Sequence, residues 1–173
     1  MEVREFREIN RIPRTFDGAP IDVRFLAELT AHRGKLLSAR PEGTPVLAGS
    51  FLRKREIVLD SELAGEERSR VLVHELFHFV WLRLGNPARA SWTDVLNAER
   101  EARARGELGW SSEWRKRDLR RVPWRDYVCE SFCDTAAWMY AGLERHEEFT
   151  LAARWRVKRR KWFEANLPAR ARV

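Results

Sequence analysis

Two histidines and a glutamate fall within five residues, His74-Glu75-Leu76-Phe77-His78, an H-E-x-x-H string. On a helix, positions four apart face the same way, so both imidazoles can reach one ion at ~2.0–2.1 Å. Glu75 is then angled beside the ion rather than onto it. A carboxylate there can take a proton from a water and later pass it to a leaving amine. Zinc suits this work because it is redox-inert, tolerates changes of coordination and lowers the pKa of its water to ~7. The chemistry expected is hydrolysis of a peptide or protein substrate by water, without a covalent intermediate. Histidine is rare in the chain, four in all, and two of them lie in this string. The plainer alternative is a pair of core histidines on a buried helix, which would be costly without metal or partners.

A catalytic zinc site needs three protein ligands and a water. No third histidine follows the string closely; His32 lies far upstream and His146 far downstream. Glu130 is the favoured third ligand. It lies on the stretch CESFCDTAAWMY, with Asp134 one turn further along the same helical face. A carboxylate at 134 can accept the second ring N–H of a zinc histidine and fix its tautomer. The apolar neighbours Phe132, Ala136, Ala137 and Met139 argue against two merely solvated acids. Cys129 and Cys133 stay open as ligands of a structural kind, or as small buried residues. Asp94, Glu99 and Glu101 lie nearer the string but sit in a charge-rich stretch that reads as solvated.

The elements that must position these groups are legible from period and punctuation. Residues 20–32 read as a helix, with Pro20 in its first turn, apolar spacing through Val23, Leu26, Ala27 and Leu29, and Gly34 as its stop. Residues 35–38 suit a short strand, and Pro41, Gly43 and Pro45 mark a loop. Residues 46–52 and 56–59 read as two strands joined by a turn at Arg53-Lys54-Arg55. The helix bearing the string starts near Gly65, with Glu66 and Glu67 favoured by its dipole. It ends at Gly85, with Asn86-Pro87 as a firm stop. Residues 88–121 form a charged, tryptophan-bearing stretch. Ser91 or Thr93 can cap a helix through Arg105, and Ser111 or Ser112 a short second one. Pro123 opens a helix closed by Gly142, and a basic helix spans about 150–167.

A chain of 173 residues suits one domain, here residues 1–173 with an insertion at about 86–125. Hydrophobic residues at 44% and charged residues at 34% are a globular balance. Two cysteines four residues apart are no disulfide framework, which favours a reducing compartment. The first residues, MEVREFREINR, lack the apolar centre of a secretory signal. The longest apolar run, 71–84, is broken by His, Glu and Arg and is too short to cross a bilayer. A cytoplasmic protein with no membrane partner is expected. The net charge of +7 comes mostly from scattered arginines, so nucleic-acid binding is the weaker reading of it.

The layout of His74, Glu75, His78, Glu130 and Asp134 resembles the Glu-zincin pattern, H-E-x-x-H followed by E-x-x-x-D on a later helix. More narrowly, IVLDSELAGEERSRVLVHELFHFV and CESFCDTAAWMY resemble the ImmA/IrrE family of small metallopeptidases. The likeness covers roughly residues 46–84 and 126–143. Asp134 departs from the asparagine common in that family, residues 86–125 are longer than its pattern, and the chain from 144 matches nothing in it. The resemblance implies an α+β, zincin-like fold, mostly helical, with a small twisted sheet of about three strands. It implies Glu130 as zinc ligand and Asp134 as support for a ligand histidine. It also implies an edge strand bordering the active-site cleft, here Ile57, Val58 and Leu59, that pairs with an extended substrate. Regulated proteolysis is a further implication.

An oxyanion partner opposite the metal is also expected, with Tyr127, Tyr140, His146 and the many arginines as candidates and none preferred. Trp92, Trp110, Trp114 and Trp124 suit helix anchors better than a cleft lining. The tail ARWRVKRRKWF reads equally as a phosphate binder or as a helix with Trp155 and Trp162 packed inward and its charges in water. Two other functions stay open: a regulatory DNA- or partner-binding protein that keeps zinc for structure, and a zinc hydrolase acting on something other than peptides.

Overall fold

A computed structural model describes residues 15–33, 35–40, 42–167 and 170–173. It is an α+β protein. Short strands occupy its first third: β1 (Thr15–Asp17), β2 (Asp22–Leu26), β3 (Leu29–His32), β4 (Lys35–Ser38), β5 (Thr44–Pro45), β6 (Ala48–Phe51) and β7 (Glu56–Asp60). Helices α1 (Gly65–Arg83), α2 (Asn86–Glu101), α3 (Trp110–Arg117), α4 (Trp124–Tyr140) and α5 (Ala153–Asn166) follow, and β8 (Arg170–Arg172) closes the chain.

The helix expected at residues 20–32 is instead two strands. Their apolar spacing fits a 3.6 period, but the burial along β2 alternates, with Asp22 and Arg24 outward and Val23 and Phe25 half-buried. A partner far along the chain decides the matter: β2 pairs in parallel with β7, and Arg24 reaches Glu56 at 2.9 Å across that pair. Glu28, at φ +51°, turns the chain into β3. The expected stop at Gly34 and loop mark at Pro41 lie outside the described residues.

The sheet order is β2-β7-β6, with β6 antiparallel to β7. The expectation that Ile57, Val58 and Leu59 form an edge strand is therefore corrected. They lie on the central strand and are 0%, 3% and 0% exposed. Both backbone sides of β7 are engaged, so it has no free edge for a substrate. Two further small sheets occur, β4-β3-β5 and the parallel pair β1-β8.

Helix α1 is buried over most of its faces, as its nearly all-round apolar sequence predicts. It packs against α4, and their shared core is aromatic. Phe77 of α1 stacks 5.5 Å from Tyr140 and lies 5.8 Å from Phe132, both of α4. Phe132 stacks at 4.9 Å on Phe163 of α5, and Trp92 of α2 meets Trp162 at 5.0 Å. α1 ends at Arg83, just before Asn86-Pro87 as expected, and the same pair starts α2, because proline suits a first helical turn as well as a break. Among the described residues, no helix is long and apolar enough to cross a membrane.

Candidate metal centre

His74 and His78 stand one turn apart on α1 and turn their Nε2 atoms toward each other, 3.2 Å apart. Glu130 of α4 brings Oε2 to 3.2 Å from His74 Nε2 and 3.9 Å from His78 Nε2. The outer nitrogen of each ring is engaged elsewhere. His74 Nδ1 meets Asp134 Oδ1 at 2.7 Å. His78 Nδ1 faces two thiols, Cys133 Sγ at 3.5 Å and Cys129 Sγ at 3.6 Å. With Nδ1 donating in each ring, both Nε2 atoms carry lone pairs. Two nitrogen lone pairs and a carboxylate oxygen then converge on one point, an arrangement relieved by a metal ion there or, without one, by a proton that His74 shares with Glu130.

The donor set fits zinc. Ligand atoms at ~2.0–2.1 Å around a tetrahedral zinc lie ~3.3 Å from one another, close to the three separations observed. Cys133 also has a donor atom within 4.8 Å of donors on His74 and His78. Its sulfur, however, approaches the Nδ1 side of His78, away from the convergence of Nε2 atoms. Glu130 therefore fits as the third ligand, and the cysteines as supports of His78.

The electrostatics follow from this crowding. Burial pushes His74 toward its neutral form, but the Asp134 carboxylate, followed by Glu130, raises its pKa well above the usual 6.5. Burial also pushes Glu130 up, yet the hydrogen bond from His74 and the charges of His74, His78 and Arg115 hold it at about 2. The hydrogen bond from Cys133 outweighs burial at Cys129 and lowers its thiol to about 6, while burial pushes Cys133 up. Glu75 is half-buried and makes no hydrogen bond or ion pair among the described residues. Its carboxylate is near enough to raise the pKa of His78.

The site has a third wall that the sequence did not announce. Asp134 Oδ2 accepts the backbone N–H of Ser112 at 2.8 Å, so one carboxylate orients His74 and caps α3. Ser112 was a candidate cap by its own side chain; α3 instead starts at Trp110, and Asp134 supplies the acceptor. Arg115 of α3 forms an ion pair with Glu130, its Nη2 lying 3.1 Å from Oε1. A Cβ on Gly109 would overlap the Asp134 carboxyl group, so only glycine lets the chain pass there. Gly109→Ala is expected to cost about 1–3 kcal/mol of stability by overpacking. It should also weaken zinc binding by displacing Asp134; thermal unfolding and a zinc titration check both, and a wild-type result in both would contradict this contact.

The remaining candidates lie elsewhere. Tyr127 is buried and donates to Glu107 Oε1 at 2.6 Å. Tyr140 packs on Phe77 in the core. His146 pairs with Glu67 at 3.1 Å, in a group where Arg70 ties both Glu67 and Glu148 and already supplies the cation. Trp92 and Trp124 are anchors, whereas Trp110 and Trp114 stand about half exposed. Asp94 and Glu101 are solvated as expected, but Glu99 is buried against Arg159. Comparison with protein-family models, curated proteins and solved structures yields no match to the chain.

Proposed function

We propose that the chain is a zinc-dependent metallopeptidase of zincin-like fold, with His74, His78 and Glu130 as metal ligands. One observation carries the reading: three donor atoms from α1 and α4 converge at 3.2, 3.2 and 3.9 Å, with Glu75, which makes no hydrogen bond or ion pair among the described residues, on the same turn of α1. Zinc bound there would acidify a water and polarise a carbonyl. Asp134 holds the Nδ1 proton of His74, so that Nε2 presents its lone pair, and the thiols do the same for His78. Glu75 takes the proton of the attacking water and returns it to the amine nitrogen as the C–N bond breaks. An extended peptide would pair with β6, the sheet edge that packs on α1.

The test joins metal analysis to cleavage. Protein purified without added metal is expected to hold about one zinc per chain. Cleavage of a mixed peptide library should stop on treatment with phenanthroline and return with zinc. Undiminished cleavage by metal-free protein, or a chain that takes up no zinc, would overturn the reading.

A further inference from the structure

We infer that Arg115 fixes how Glu130 presents itself to the metal, holding one carboxylate oxygen so that only the other faces the histidines. This rests on the zinc reading above. A free carboxylate can bind a metal through one oxygen or both, and it can swing between the two. Here Oε1 is taken by Arg115 Nη2 at 3.1 Å, while Oε2 lies 3.2 Å from His74 Nε2. A single-oxygen third ligand leaves the fourth position open for water, as a catalytic site requires.

Arg115 is itself held in place. Its Nη1 donates to the Ser111 carbonyl at 2.6 Å, and its guanidinium lies 4.8 Å from the centre of the Trp114 ring. The helix that carries it is pinned at its start, where Trp110 N–H reaches Glu148 and Ser112 N–H reaches Asp134. Glu130 and Asp134 of α4, one turn apart, are thus both met by α3: Asp134 by its N-terminus and Glu130 by its arginine. Glu130 is aimed before any metal arrives. Arg115 acts through Glu130 and is a positioning residue.

Cobalt(II) in place of zinc tests this, because its visible absorption is strong in four-coordinate sites and weakens as more donors bind. Arg115→Ala is expected to bind zinc about 10–100-fold more weakly in chelator competition. Its cobalt band should be weaker and shifted. Arg115→Lys keeps the charge, but a single ammonium cannot bridge the Ser111 carbonyl and Glu130 with the same fork. It should fall between wild type and alanine, and it carries the test if the alanine variant unfolds by circular dichroism. Wild-type affinity and spectrum in either folded variant would overturn the inference. A wild-type chain that takes up neither zinc nor cobalt would instead overturn the zinc reading beneath it.

Discussion

Glu75→Gln is expected to lower kcat/KM for peptide cleavage by about 10²–10⁴-fold while leaving zinc uptake unchanged. That loss corresponds to about 3–5 kcal/mol of transition-state stabilisation. The argument lies in what the side chain touches. Glu75 shares the helix turn of His74, stays half-buried, and bonds to no other group among the described residues. It supports no element of the fold, and an amide of the same shape fills the same space. What glutamine lacks is basicity: it can neither accept the proton of water nor hand one to the departing nitrogen. His74→Ala should behave differently, losing metal and activity together. A Glu75→Gln protein that still cuts at the wild-type rate would remove Glu75 from the mechanism.

Arg159→Met is expected to destabilise the protein by about 3–5 kcal/mol. Arg159 lies on α5 and is 0% exposed. Its fork binds Glu99 of α2 at 2.9 and 2.6 Å, and Nη2 also lies 2.9 Å from Glu107. Its Nη1 reaches Thr135 of α4 at 3.3 Å. Removing the cation leaves two buried carboxylates whose remaining side-chain partners among the described residues are Lys116, Tyr127 and Ser112, all on the Glu107 side. Burial pushes Glu107 up, but Arg159 and Lys116 together hold it below its usual 4.5. A depressed carboxyl contributes stability above pH ~4.5 that is lost as the pH falls through its folded value. Without Arg159 the pKa of Glu107 rises toward its unfolded value, so this contribution is missing at neutral pH and the gap between variant and wild type should narrow as the pH falls below ~4.5. Denaturant titrations across pH measure both effects; a change under ~1 kcal/mol at neutral pH would mean the network relaxes at little cost.

These two residues differ in how far the sequence reveals them. Glu75 is visible because its partners are four residues or fewer away and share a helix turn. Glu130 and Asp134 are nearly as visible, since one helix places them on one face and α1 packs directly against that helix. Arg159 looks like one more solvated base in a basic tail; its burial depends on a glutamate sixty residues earlier. Trp155 and Trp162 were readable as inward because their spacing is local. The same distinction separates the strands. The turn at 53–55 joins neighbours, so β6 and β7 were legible. β2 takes its identity from pairing with a strand more than thirty residues on, and that pairing, which no local pattern announces, places β7 inside the sheet rather than at the edge implied by the resemblance. α3 was visible as a short helix, but its place against the metal ligands depends on one backbone amide and one arginine, neither of which has a pattern.

The double engagement of Asp134 restricts which residue can occupy that position. His74 Nδ1–H and the Ser112 amide are both donors, and they arrive at different oxygens of one side chain. Asparagine here would have a single acceptor oxygen; its nitrogen would point a proton at another proton. Only an anion with two acceptors serves both neighbours. Asp134 therefore ties the aim of His74 to the seating of α3, and an amide at this position would serve one neighbour at the expense of the other.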